Sequence, residues 1–250
     1  GSTMHWILPP PVANERVGGI TPSRRPMNGL WRLLPGAAAL LLPTLCQADA
    51  CAQLPPPTIT VQRLEDTVTL NLDHGHKALG VLAAELARPG KQILGLTRGT
   101  AVVKFETRSP TLRDRNGRWE CTSPQIQISY GFSPLTIYVA NEFPRGSCAW
   151  QEIYDHEQRH VAAYRQHVIA LEPSLTDSLR QRFINRGIWR GSVGETSAAL
   201  QRELSERWLP YIKRQISQVE AAQARIDSPE EYNRVAESCQ GEVRRRLRNR

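Results

Sequence analysis

The chain has 250 residues, of which 40% are hydrophobic and 22% are charged, and its formal net charge is +8. This composition indicates a folded protein and excludes a disordered chain. Basic residues are concentrated at the C-terminus without interleaved aromatic side chains, so specific nucleic-acid binding through base stacking is not predicted. The residues concerned are Arg244, Arg245, Arg246, Arg248 and Arg250. We interpret them as a basic tail or solvated helix end, with contact to an anionic membrane as the alternative.

Two N-terminal segments precede the predicted domain. Residues 1–26, rich in Pro and Gly, are interpreted as an upstream extension or a cloning remnant. Residues 27–50 have the pattern of a secretory signal peptide, with an apolar run from Leu33 to Leu45 and a small-x-small cleavage site at Ala48-Asp49-Ala50. The apolar run is too short, and too interrupted by prolines, to span a membrane.

Removal of the signal peptide would leave residues 51–250 as a single periplasmic or secreted domain, long enough for its own hydrophobic core. Lipidation of Cys51 is an alternative fate of the new N-terminus. In an oxidising compartment Cys121 and Cys148, which flank a strand-rich segment, are the expected disulfide. Pairing of Cys148 with Cys239 and metal binding by Cys239 stay open.

The first half of the domain is predicted to form a small sheet. Alternating β-branched and apolar residues predict strands at Thr67–Leu72, Thr100–Thr107, Gln125–Tyr130 and Leu135–Ala140. A short helix is predicted at Lys77–Ala87. The strand Leu135–Ala140 directly precedes the first long helix, and we expect it to be a sheet edge to which an extended peptide substrate adds.

The second half is predicted to be helical, because its apolar residues recur at helical spacing. Helices are expected at Cys148–Leu171 and at Leu175–Ile188, with a break at Glu172-Pro173-Ser174 between them. A longer helical segment at Glu195–Ile226 should be kinked or split by Pro210. The predicted fold class is therefore α+β, with a small N-terminal β-sheet followed by a helical bundle.

The first of these helices carries a His-Glu-x-x-His motif at His156, Glu157 and His160. At about 100° per residue all three side chains fall on the apolar face, where buried polar groups need partners. Histidines four residues apart lie about one turn apart and can bind one zinc ion, while Glu157 is placed to act as general base. His167 lies about 10.5 Å farther along the helix and is expected to be a core or second-layer residue. The alternative is a core helix whose histidines form only hydrogen bonds.

On these residues the chain resembles a bacterial family of predicted secreted zinc-dependent proteases, catalogued as a domain of unknown function. The resemblance extends from Thr67 to Gly241 and is anchored by the motif and by Tyr232-Asn233-Arg234. It implies a zincin-like fold and metalloprotease activity. The chain departs from the family pattern at Arg159, where Gly is usual, and at residues 236–241, where the family has a Thr-x-His-Gly string.

A catalytic zinc ion normally has three protein ligands and an open position. Glu195 is one candidate for the third ligand, because Glu195-Thr196-Ser197-Ala198 resembles the Glu-x-x-Ala pattern of several zincins. Glu237 is the other candidate, since it stands where the resembling family has its histidine.

The leading functional prediction is a zinc metallopeptidase outside the cytoplasm that binds one Zn²⁺ through His156 and His160 and uses Glu157 as its catalytic base. The alternative is a non-catalytic zincin-fold envelope binding protein whose metal is structural or absent.

Overall fold

The structure is a computed structural model that describes residues 49–83 and 92–248. In these ranges the strands are β1 (Thr58–Arg63), β2 (Thr69–Asn71), β3 (Gly95–Thr107), β4 (Thr111–Arg113), β5 (Glu120–Thr122), β6 (Gln125–Val139) and β7 (Trp189–Gly191). The helices are α1 (His76–Leu82), α2 (Cys148–Phe183), α3 (Glu195–Arg202), α4 (Leu209–Ser217), α5 (Val219–Ile226) and α6 (Pro229–Arg248). The α+β class predicted from the sequence is confirmed.

Three predicted segments lie wholly or partly outside the described residues. They are the upstream extension 1–26, the signal peptide 27–50 except for Asp49 and Ala50, and the last four residues of the predicted helix Lys77–Ala87. Asp49, two residues before Cys51, forms an exposed ion pair with Arg190. Over the described residues, no helix combines the length and hydrophobicity that crossing a membrane requires.

The main sheet is built around β6, a strand of 15 residues. β1 and β2 pair with β6 in parallel on one side, and β3 pairs with it antiparallel on the other side along almost its whole length. The predicted strands Gln125–Tyr130 and Leu135–Ala140 are thus two parts of one strand. The expectation that Leu135–Ala140 is an exposed edge is wrong, because residues 136–138 in its middle are paired with β2 on one side and with β3 on the other. Among the described strands, β3 pairs only with β6, so its other edge is unpaired, as are the outer edges of β1 and β2.

One face of this sheet packs on α2 because β6 alternates apolar and polar residues. Ile126, Ile128 and Tyr130 are buried toward the helix, and the Tyr130 hydroxyl donates a 2.5 Å hydrogen bond to the Val168 carbonyl of α2. On the opposite face Gln127 donates to Gln62 of β1. This period-two pattern is the physical reason why the strand prediction succeeded here.

None of the strands β4, β5 and β7 pairs with a described strand of the first sheet, and together they form a second sheet. Its central strand carries Glu120, whose carboxylate is buried and accepts hydrogen bonds from the backbone N–H and hydroxyl of Thr196 at the start of α3. Glu120 therefore caps α3 from another element, in the manner of an N-cap residue. Hydrogen bonds from Thr196 and from the Gly194 backbone lower the pKa of Glu120 to about 2.

The disulfides join Cys51 to Cys121 and Cys148 to Cys239. The expected Cys121–Cys148 pairing is wrong. The two cysteines flank the same strands in the sequence, but Cys121 faces Cys51 near the start of the domain and Cys148 faces Cys239 of α6. The alternative pairing of Cys148 with Cys239 is the one observed. Lipidation of Cys51 and metal binding by Cys239 both require a free sulfur atom, and the disulfides leave neither cysteine one.

Helix α2 runs without a break for 36 residues, so the break predicted at residues 172–174 is wrong. Pro173 lies inside the helix and cannot donate to the carbonyl of Ile169. Ile169 is 53% exposed, so solvent is close to that carbonyl. Leu171 and Leu175 on the buried face anchor both sides of the proline in the core. Tertiary packing therefore outweighs the local cost of proline.

Helices α3 and α4 are joined by a π-helical turn, Glu203–Trp208, that ends two residues before Pro210. This wider turn is how the chain accommodates the kink predicted at that proline. The apolar residues predicted to form the core face are buried here, including Leu200, Leu204, Ile212 and Ile216.

Helix α6 extends the described chain to Arg248, with non-helical backbone at Ser238 to Gly241. In the predicted basic tail, Arg244 pairs with Glu237 and Arg246 with Glu242, as expected of a solvated helix end.

Candidate metal centre

Helix α2 places the three motif side chains on its inner face. Glu157 is 3% exposed and His160 is 7% exposed, and the His156 side chain is 12% exposed. The helical phase derived from the sequence therefore matches the observed burial. Arg159 points outward and is half exposed.

A third potential ligand, Asp227, lies against both histidines. It directly follows the last residue of α5 and is separated from the start of α6 by Ser228. Its Oδ1 atom is 3.1 Å from Nε2 of His156 and 3.0 Å from Nε2 of His160, and the two Nε2 atoms are 3.2 Å apart. The three atoms form a nearly equilateral triangle.

This triangle has the size that a tetrahedral zinc site requires. With bonds of about 2.0–2.1 Å, two ligand atoms of a tetrahedral zinc ion lie about 3.3–3.4 Å apart. The observed separations of 3.0–3.2 Å differ by a few tenths of an ångström. Asp227 retains a side-chain exposure of 40%, so the triangle is accessible from that side.

The second ring nitrogen of His160 is held by Gln223 of α5. Nε2 of Gln223 donates a 3.2 Å hydrogen bond to the His160 carbonyl, which fixes the amide orientation. Oε1 of Gln223 therefore faces Nδ1 of His160 and accepts a hydrogen bond from its N–H. The neutral ring then has a bare lone pair on Nε2, 3.0 Å from a carboxylate oxygen of Asp227. Two acceptors this close need a cation or an additional proton between them.

Nδ1 of His156 lies against Glu231 of α6, with a separation of 3.2 Å from its Oε1 atom. Glu231 also pairs with Arg159 and Arg234, and Arg159 is itself 3.0 Å from the same ring nitrogen. Hydrogen bonds from Arg234 foremost, and from His156 and Arg159, lower the pKa of Glu231 to about 2. The carboxylate therefore stays charged beside His156.

In this cluster the surroundings favour a negatively charged Asp227 and a positively charged His160. Burial alone would raise the pKa of Asp227, but hydrogen bonds to His156 and His160 outweigh it and hold that pKa well below its usual range. Burial alone would lower the pKa of His160, yet the hydrogen bond to Asp227 and the charge of Glu157 raise it. The site thus attracts positive charge, whether as protons or as a metal ion.

Glu157 is buried between α2 and the start of β3. The Thr97 hydroxyl donates a 2.6 Å hydrogen bond to Oε2 of Glu157. Gly95 allows the close approach, because a Cβ atom there would lie 2.7 Å from Oε1 of Glu157 and 2.7 Å from Ile153. Burial raises the pKa of Glu157, which favours proton uptake.

The structure does not bring either predicted third ligand to the histidines. Glu195 lies at the start of α3, which packs against β5 and β7. Glu237 is 69% exposed and pairs with Arg244. His167 binds the Gln215 carbonyl through Nε2 at 2.8 Å, in agreement with the prediction that it is not a ligand.

Asp227 received no role from the sequence pattern, because the helix predicted to end at Ile226 does end there and Asp227 follows it in the corner before α6. A local signal was present, since Ser228-Pro229-Glu230-Glu231 has the capping-box pattern that starts a helix. Ser228 Oγ accepts a hydrogen bond from the Glu231 backbone, as that pattern predicts. An acidic residue at a helix C-terminus is unfavourable with the helix dipole, and such a placement indicates another role.

Among the described residues, one further group has potential ligand atoms within 4.8 Å of one another. It consists of Cys148, Cys239 and Glu242. Its two sulfur atoms are bonded to each other, so they are unavailable to a metal.

No family model, curated protein or solved structure matches this chain. The zincin-like fold and the family resemblance accordingly stay predictions.

Proposed function

We propose that the protein is a zinc-dependent hydrolase that cleaves peptide bonds outside the cytoplasm. The observation that carries the proposal is the triangle of His156, His160 and Asp227, whose 3.0–3.2 Å separations fit one tetrahedral ion. The donor set of two imidazoles and one carboxylate is of the kind found in catalytic zinc sites, which leave a fourth position open.

In this proposal a bound zinc ion would make a water molecule acidic near neutral pH and polarise the substrate carbonyl. Glu157 would accept the proton of that water and later donate it to the departing amine. Two observations support this role: the hydrogen bond from Thr97 fixes the carboxylate in one orientation, and burial raises the pKa of Glu157, so that it takes up a proton more readily. Asp227 and the histidines would hold the ion, and Glu231 and Gln223 would orient the rings.

The substrate would bind along β3. Gly95 and Thr97 of this strand lie beside Glu157, and β3 has a free edge among the described strands. An extended peptide can add to such an edge through backbone hydrogen bonds. This location replaces residues 135–140, because residues 136–138 in the middle of that range are already paired on both sides.

An extracytoplasmic location is supported by the disulfides Cys51–Cys121 and Cys148–Cys239, because such bonds persist in oxidising compartments.

The experiment is a comparison of the native protein with Glu157→Gln. Elemental analysis should find one zinc ion per chain in both proteins, and a casein or peptide-library digest should show cleavage by the native protein only. Zinc binding without cleavage by the native protein would refute the peptidase assignment. Absence of any bound metal after purification with added zinc would refute the metal site as well.

A second candidate is a binding protein with a structural metal. One observation favours it: the three ligand atoms come from α2 and from the corner between α5 and α6, so an ion would tie these elements together. In that case zinc removal should lower the melting temperature, and native protein and Glu157→Gln should behave alike in every assay.

A further inference from the structure

The segment from α5 to α6 contacts the motif helix at three positions spaced four residues apart. Gln223 contacts Nδ1 of His160, Asp227 contacts both Nε2 atoms, and Glu231 contacts Nδ1 of His156. A single stretch of nine residues therefore contacts all four ring nitrogens of the two histidines.

Resting on the proposed function, we infer that Gln223 is a positioning residue that fixes the tautomer and orientation of His160 for metal binding. Its amide makes two contacts with the same residue, one with the ring through Oε1 and one with the backbone carbonyl through Nε2. The second contact prevents the amide from turning over, so the ring meets an acceptor rather than a donor. Nδ1 must then carry the hydrogen, and Nε2 is left free toward Asp227.

A purely structural role does not account for this arrangement. The His160 carbonyl lies within α2 and already has its helical partner, so the Gln223 bond to it is additional. A leucine of similar size at position 223 would keep the packing between α5 and α2. What it would remove is the acceptor for Nδ1, which lets the ring rotate or adopt the tautomer that places a hydrogen on Nε2.

The two histidines also differ in the charge of their partners. His156 faces the carboxylate of Glu231, whereas His160 faces a neutral amide. A carboxylate partner makes an imidazole a stronger ligand than an amide does. Gln223→Glu therefore preserves the acceptor and strengthens it, and serves as the rescue variant for Gln223→Leu.

The test measures zinc affinity by competition with a chromogenic chelator for the full chain and its variants. Gln223→Leu should weaken zinc binding about 10–100-fold. Gln223→Glu should bind at least as tightly as the native protein, and Gln166→Leu on the exposed face of α2 should bind equally well. The visible spectrum of the Co²⁺-loaded protein should change in Gln223→Leu alone, because that spectrum reports ligand geometry. Gln223→Leu should also lower the metal-free melting temperature, because the buried Nδ1 of His160 loses its acceptor, so the Co²⁺ spectrum and the Gln223→Glu rescue decide the positioning role.

The outcomes separate this inference from the proposed function. If the native protein binds zinc and Gln223→Leu binds it equally tightly with the same Co²⁺ spectrum, the positioning role is wrong and the metal site stands. If the native protein binds no zinc, both fail. If Gln223→Leu does not fold, Gln223→Asn decides, because it keeps the amide but is one methylene too short to reach Nδ1. Unchanged zinc affinity in that variant also overturns the inference.

Discussion

The Thr97 hydroxyl lies 2.6 Å from Oε2 of Glu157 and joins the edge strand β3 to the motif helix. Both side chains are buried, with exposures of 9% and 3%. The contact links the part of the sheet where a substrate would bind to the carboxylate that would act on it. It is also a polar contact inside an apolar region, where loss of one partner is costly.

Thr97→Val should destabilise the protein by about 1–3 kcal/mol, because the buried carboxylate loses its hydroxyl donor. Urea unfolding measures this change. Thr60→Val, at an exposed position of β1, is the matched control and should stay within about 0.5 kcal/mol of the native protein. Equal stability of the two variants would show that the hydrogen bond contributes nothing.

Gly95→Ala should destabilise the protein by about 1–3 kcal/mol, because the added Cβ would overlap Glu157 and Ile153. Gly80→Ala is the control, since nothing lies within 4 Å of a Cβ at that position of α1. Alanine in place of this helical glycine should stabilise by up to about 1 kcal/mol. Opposite shifts in the denaturation midpoints are expected, and a neutral Gly95→Ala would contradict the tight packing of β3 on α2.

Asp227→Asn should weaken zinc binding by more than about 100-fold, since loss of a ligand should exceed the 10–100-fold effect of a second-layer change. Glu195→Gln and Glu237→Gln should bind zinc as the native protein does. Isothermal titration with zinc distinguishes the three variants. Retained affinity in Asp227→Asn with loss in either glutamate variant would assign the third ligand to that glutamate instead.

Glu120→Gln should destabilise the protein by about 1.5–3 kcal/mol at pH 7, because the charged carboxylate accepts hydrogen bonds at the start of α3. Hydrogen bonds from the Gly194 backbone and from Thr196 lower the pKa of Glu120 from its ordinary value of 4.5 to about 2 in the folded protein. Its stabilisation is therefore complete above pH 4.5 and is lost as the pH falls toward 2. Denaturant titrations of both proteins should converge over that interval. A constant difference down to pH 2 would contradict this origin.

Removal of either disulfide should lower the stability of the metal-free protein by about 2–5 kcal/mol, as is usual for bonds that close long loops. The variants are Cys51→Ala with Cys121→Ala, and Cys148→Ala with Cys239→Ala. Only the second pair should also weaken zinc binding, because Cys239 holds α6, which carries Glu231, against α2. Equal zinc affinities in the two double variants would show that the Cys148–Cys239 disulfide does not support the metal site.

The sequence allowed prediction of those features that depend on local pattern. The period of two in β6 and the period of 3.6 in α2 each reflect one buried face, and the second pattern placed His156, Glu157 and His160 correctly. Asp227 was out of reach, because its role depends on where the corner between α5 and α6 meets α2. The same holds for Cys148 and Cys239, whose pairing depends on the position of α6.

The prediction of a helix break at Pro173 failed for the converse reason, because tertiary packing outweighs a local pattern there. The local rule for proline is correct, but Leu171 and Leu175 bind the helix to the core on both sides. The edge assignment of residues 135–140 failed because β2 pairs with one side of this part of β6 and β3 with the other, an arrangement that alternation alone does not reveal.

Helix α2 passes through two separate hydrophobic clusters. Ile153 and Val161 belong to one of them, together with Val235 and Val243 of α6, and the second half of α2 packs with α3 and α4 in the other. The histidines lie in the first half, and α6, which supplies Glu231 to them, has its buried valines in the first cluster, so we expect α6 to open without unfolding the second cluster. Local opening of this kind occurs at lower free energy than global unfolding. An ion bound by Asp227 and the two histidines would oppose this opening. We therefore expect the rate at which the ion exchanges with solvent to follow the rate at which α6 opens.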